Sequence, residues 1–201
     1  MILNLNLNFA QSLEGKWILI PNGDTYINPN VSLFEFKDNK VIMSDSEIVV
    51  QTKNYKIVGN EIFVESTSFG NFKFISENRF TIYKYDDLNP NRNLELDFIK
   101  LEPTITELTE SEIELLIFEN RELDVLISFN VELQKPFLLE LLGEKSTKKM
   151  TLKKIDSTLF VCNFEAGELD SIIPIREVNK EFLEIYGYSR KMPYSLKLNR
   201  I

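Results

Sequence analysis

SLFEFKDNKVIMSD, residues 32–45, is the stretch on which the fold turns. Phe34 and Phe36 fall on one face, with Leu33, Glu35 and Lys37 on the other. A period of two belongs to a strand half buried against a core. Asp38-Asn39 accepts the positive φ of a tight turn, so the chain returns as KVIMSD and the whole reads as a β-hairpin. The same period runs on downstream. EIVVQTKNYKIV turns at Gly59-Asn60 into EIFVES, and NFKFIS turns at Glu77-Asn78 into RFTIYKY. After the polar loop DDLNPNRN comes LELDFIKL, with Leu94, Leu96 and Phe98 on one face and Glu95 and Asp97 on the other. With a first strand at Gly15–Trp17, this makes about eight short-linked strands ending near Leu101. A meander of that kind leaves two open edges unless it curls and pairs them, so an antiparallel up-and-down barrel is the expected solution.

Beyond Pro103 the pattern changes. In TELTESEIELL, Thr109 followed by Glu112 has the spacing of a helix capping box. KPFLLELLG, with Pro136 near its start and Gly143 at its end, fits a short helix or a strand. MTLKKI, TLFVCNF, SIIPIREV, EFLEIYGY and SLKLNR read as further strands. Pro174 cannot donate to a ladder and is expected at an edge or a bulge. The fold class expected is therefore mainly β: a barrel over residues 12–102, then a β-rich unit over 103–201 with one or two short helices. RFTIYKY, a Pro-containing loop and LELDFI are echoed by EFLEIYGY, SRKMPY and SLKLNRI. The second unit is thus either a diverged repeat of the first or a set of hairpins of similar composition.

Absent chemistry narrows function further. The 201 residues contain no histidine, which removes the commonest general base and the commonest zinc ligand. The single cysteine, Cys162, lies in the apolar run LFVCNF and is expected to be a buried, inert thiol. There is no P-loop, no dinucleotide-binding glycine motif and no G-x-S-x-G elbow. Asp45-Ser46-Glu47 is too short to cage calcium, and Asp86-Asp87 sits in a turn-forming loop. Asn30-Val31-Ser32 fits a glycosylation acceptor only in a eukaryotic secretory route. The net charge of −8 is spread evenly, with 10 basic against 14 acidic residues in 1–102 and 13 against 17 in 103–201. No half is basic, so a nucleic-acid partner is not expected. Lys145, Lys148, Lys149, Lys153 and Lys154 form the one basic cluster, read as a solvated hairpin or a docking patch. Residues 102–124 set eight acids against Arg121 alone, a solvated face or a surface for a basic protein. Tyr83, Tyr85, Tyr186 and Tyr188 would line a pocket or pack the core. No apolar run reaches the ~20 residues of a transmembrane segment.

Leu13-Glu14-Gly15-Lys16-Trp17 resembles the L-x-G-x-W signature that opens the first strand of lipocalin-like (calycin-type) proteins. The resemblance covers about residues 12–102 and is nearest to short lipocalin-like domains of bacterial secreted proteins. It implies that Gly15 lets the chain bend around a closed barrel end and that Trp17 plugs it. A stacking Arg on the last strand has no clear counterpart, with Lys100 left to take that role, and there is no disulfide pair. What the resemblance implies for function is non-catalytic binding of a small apolar ligand by a secreted or periplasmic protein. The alternative is an acidic interaction or structural module, of immunity or envelope-assembly type, whose fifteen phenylalanines fill the barrel. No catalytic, cofactor-binding or metal-ligating residue is assigned, and the ligand contacts are not singled out. Upstream, MILNLNLNFAQ reads as the remnant of a signal peptide cleaved after Ala10 or Gln11, or else as a first strand of a cytoplasmic protein.

Overall fold

The computed structural model describes residues 12–20, 33–44, 49–85, 93–129, 149–165, 168–187 and 195–201. Eight antiparallel strands close a barrel: β1 (Gly15–Ile20), β2 (Leu33–Lys37), β3 (Lys40–Ser44), β4 (Val49–Val58), β5 (Glu61–Val64), β6 (Thr67–Ser76), β7 (Arg79–Tyr85) and β8 (Asn93–Lys100). Closure is made by β1 on β8, with Trp17 opposite Lys100 and Ile20 opposite Asp97. The turns at Asp38-Asn39, Gly59-Asn60 and Glu77-Asn78 stand where the alternation places them. Glu65-Ser66 is a further turn, with φ of 48° and 70° at two residues that seldom take the left-handed region. Because of it, β6 begins at Thr67, well before the NFKFIS run that the sequence marks as a strand.

After Lys100 the chain crosses to a second sheet. Helix α1 (Glu110–Glu114) carries the expected capping box: the Thr109 side chain accepts from the Glu112 N–H, and the Glu112 carboxylate accepts from the Thr109 N–H at 2.8 Å. The Thr109 N–H, and with it the Thr109 hydroxyl that donates to the same carboxylate at 2.8 Å, hold the exposed Glu112 carboxyl below its usual range. The strands are β9 (Ile117–Asn120), β10 (Val125–Ser128), β11 (Lys149–Ile155), β12 (Thr158–Glu165), β13 (Glu168–Val178), β14 (Phe182–Tyr186) and β15 (Ser195–Arg200). They form a curled seven-stranded antiparallel sheet in the order β10-β9-β15-β14-β13-β12-β11. The β7–β8 and β14–β15 pairs that echo each other in sequence are both antiparallel neighbours, and among the described residues no pairing joins β10 to β11 at the two ends of the second sheet. Pro174 lies in an internal strand, not at an edge. It falls where the β13–β14 ladder ends, beside the register shift between Ile175 and Glu177, so its missing N–H is not required there. The KPFLLELLG segment, Lys145, Lys148 and residues 1–11 lie outside the described residues, whereas Lys149, Lys153 and Lys154 of the lysine cluster stand on β11.

Three apolar clusters build the interior. One fills the barrel around Trp17, Phe34, Phe36, Phe80 and Phe98. Another lies in the concavity of the curled sheet, with Ile113 of α1 against Phe118, Val161 and Leu183. The third joins the two. Ile18, Ile20 and Ile99 on the outer barrel wall meet Phe160, Cys162, Ile172 and Tyr186 of the second sheet. β1 is therefore buried on both faces, which explains its continuous apolar run WILI. Polar contacts edge this junction. The Glu102 N–H donates to the Tyr186 hydroxyl at 2.9 Å, Thr158 Oγ1 donates to the Glu102 carbonyl at 2.8 Å, and Lys16 bridges to Asp156.

A cavity in the barrel

The two barrel ends are built differently. At the end where β1 starts, Gly15 has a φ of 121°, a conformation that favours glycine, and a Cβ there would sit 3.1 Å from Lys100 Cε. That bend brings the Leu13 carbonyl under Trp17, whose indole N–H donates to it at 2.7 Å. Trp17 is fully buried, edge-on to Phe80 at 4.6 Å, and Phe80 stacks on Phe98 at 4.7 Å. Lys100 Nζ lies 5.7 Å from the Trp17 ring centroid and covers the plug from outside. The residues of the L-x-G-x-W stretch are thus one device: the glycine makes the bend, the leucine supplies the acceptor and the tryptophan closes the end.

Toward the other end the aromatic packing stops and a cavity of about 410 Å³ opens. Phe34, Phe36, Val41, Ile62 and Ile82 form its apolar wall. Gln51, Glu65, Thr67 and Ser68 line it while remaining exposed, so it reaches the surface on that side. Strand lengths explain where. β5 spans only four residues, and β6 pairs with β7 no higher than Asn71 opposite Tyr83. The upper parts of β4 and β7 therefore stand above a notch in the wall. A β-bulge shapes its sill. Ile62 faces Gly70 and Phe63 faces Ser68, which leaves Phe69 as the extra residue and turns it into the cavity lining. Gly70, at φ 143°, makes this approach feasible, since a Cβ there would stand 2.5 Å from the Tyr83 carbonyl oxygen.

Two lysines also line the cavity. Lys53 continues the inward row of β4 with Gln51 and Tyr55, and Lys84 continues the inward row of β7 with Phe80 and Ile82. Both are half-buried, and Lys84 Nζ lies 5.6 Å from the Phe69 ring centroid. Among the described residues Glu65 is the one carboxylate in the lining, and it is engaged with the backbone: Glu65 Oε1 accepts from the Asn54 N–H at 2.6 Å. Among the described residues Lys53 forms no ion pair.

The residues weighed from sequence are dispersed. Tyr186 is fully buried at the junction, where burial first, and then the nearby Glu102 charge, push its hydroxyl up to about 12 against the opposing Glu102 N–H and Arg176. Tyr83 faces outward, and the side chains of Tyr85 and Tyr188 lie outside the described residues. Cys162 is buried in the junction. Asp97, on the face opposite Leu96 and Phe98, is 2% exposed, with Thr81 donating to it and Arg79 Nη2 at 3.3 Å. The lysines of the cavity carried a signal that the strand reading passed over: each keeps phase with the apolar side of its strand. Among the described residues no cluster of His, Cys, Asp and Glu is suited to a metal ion, and no helix is long and apolar enough to cross a membrane. No family model, curated protein or solved structure matches this chain.

Proposed function

We propose that this protein is a lipocalin-like binding protein that takes up a small, largely apolar molecule in its barrel without transforming it. The observation that carries the reading is the cavity of about 410 Å³, sealed by Trp17 at one end and entered beside the β5–β6 hairpin at the other. That volume lies in the lower part of the range of roughly 300–1,000 Å³ typical of ligand sites. An eight-stranded barrel is just wide enough either to fill with side chains or to hold one small ligand, and the open volume favours the second. It speaks for a ligand over the competing interaction module with a filled barrel. The Gly15–Trp17 plug supports the lipocalin-like likeness at the level of local physics. A site of action outside the cytoplasm rests on the sequence of residues 8–11 alone.

The test is a titration with the neutral fluorophore N-phenyl-1-naphthylamine. Saturable one-to-one enhancement is expected, with competition by decanol. Val64→Trp, which places a large ring in the cavity lining, should abolish the enhancement while the far-UV spectrum is retained. Absence of saturable binding, or binding untouched by Val64→Trp, would overturn the reading.

A further inference from the structure

We propose that Phe34 and Phe36 act as a length gauge that ends the cavity short of Trp17. The ligand is then a compact apolar molecule of about a dozen non-hydrogen atoms, and long-chain lipids are excluded. This rests on the binding function proposed above and specifies the size class that the same cavity takes, together with the residues that set it.

The lining is drawn from β2 to β7, and β1 and β8 give none of it. Elsewhere the barrel is already filled: Trp17, Leu19, Phe80 and Phe98 pack in the barrel cluster without lining the cavity. Of the rings in the lining, Phe69 stands at the sill, whereas Phe34 and Phe36 are buried at the inner end. Each of these two is braced from behind. Phe34 stands edge-on to Phe98 with centroids 5.0 Å apart, and Phe36 stands edge-on to Tyr55 at 5.1 Å and to Phe80 at 6.3 Å. Phe80 and Phe98 are in turn stacked on each other, and Phe80 meets Trp17. A ligand tail cannot push Phe34 or Phe36 aside without driving them into rings already in contact. Overpacking a filled core is unfavourable, so the tail stops there. At roughly 30 Å³ for each non-hydrogen atom, the share of one water in the liquid, a cavity of about 410 Å³ holds about 14 atoms. A straight chain of about ten to twelve carbons fills that space. Further carbons would stay in water at the mouth, where they bury no apolar surface and add no affinity.

A series of straight-chain alcohols from octanol to tetradecanol, each measured by displacement of N-phenyl-1-naphthylamine, reads the gauge. Each added methylene should tighten binding about fourfold as far as dodecanol, and the gain should then stop. Phe34→Leu and Phe36→Leu, which each withdraw a ring from the inner end, should carry the rise on to tetradecanol. Phe63→Leu, on the outer face of β5 beside Lys56, should leave the break where the wild-type protein has it. Fourfold gains that run without a break to tetradecanol in the wild-type protein overturn the gauge while leaving the cavity reading standing. A break that neither folded variant moves overturns it too, because other residues would then set the limit. If no alcohol displaces the fluorophore, the cavity reading falls and this one with it. The wild-type series decides the matter even if both variants fail to fold.

Discussion

Trp17 and Tyr186 show how differently two large aromatic residues can be used. Trp17 closes the barrel with its N–H satisfied by Leu13, two hydrogen-bonding partners set by three residues of bend. Tyr186 closes the gap between the two sheets, with its hydroxyl accepting from the Glu102 N–H and Arg176 lying 5.0 Å over its ring. Its hydroxyl is raised from 10.0 to about 12 mainly by burial, so the folded state disfavours the phenolate. The corresponding stability is fully present below pH 10 and is lost as pH rises from 10 through 12. On the order of 2 kcal/mol is at stake. Tyr186→Phe should cost about 1 kcal/mol at neutral pH, where the Glu102 N–H loses its acceptor. It should also flatten the alkaline fall in stability relative to wild type, measured by urea unfolding at a series of pH values. Gly15, Trp17 and the capping pair Thr109 and Glu112 were legible in the sequence because each acts within a few residues of itself. The role of Tyr186 was not, because its partners stand 84 and 10 residues away.

At the scale of elements, the bulge in β6 sets the shape of the cavity mouth. Gly70 permits it, and Gly70→Ala would drive a Cβ against the Tyr83 carbonyl in a conformation that side chains avoid. A loss of about 2 kcal/mol is expected, or roughly 4–8 °C in Tm by scanning calorimetry. Unchanged stability would show that β6 does not need this approach. The strand meander was readable because alternation and turn residues agree from Leu33 to Lys100. The bulge was not, since Thr67-Ser68-Phe69-Gly70 does not alternate, and Glu65-Ser66 is poor turn chemistry for two positive φ values. The burial of Asp97 was hidden for a related reason. Period two tells which residues share a face of a strand, but not whether that face meets water or a second layer.

At the scale of the whole molecule, β1 belongs to two cores at once. Its inward Trp17 and Leu19 serve the barrel, and its outward Ile18 and Ile20 serve the junction with the second sheet. A barrel that lost the second sheet would bare Ile18, Ile20 and Ile99 together, so the two units are expected to unfold as one. Trp17 is the single tryptophan and lies inside the barrel, so its fluorescence follows the barrel alone, whereas far-UV circular dichroism follows both sheets. In guanidinium the two signals should share one midpoint. Separate midpoints would mean that the junction is too weak to couple the units. The sequence marks the boundary near Pro103 by a change of period, but it holds no sign that the two sides share a core, because the contacting rows come from distant strands.

The central claim is that the barrel interior receives the ligand, and its location can be observed directly. Crystals grown with 10-bromodecanol should give a bromine anomalous peak inside the barrel, between Phe34, Phe36 and Ile62. A peak found only on the outer surface, for example beside the exposed Leu115 and Leu126, with the cavity empty, would contradict the account.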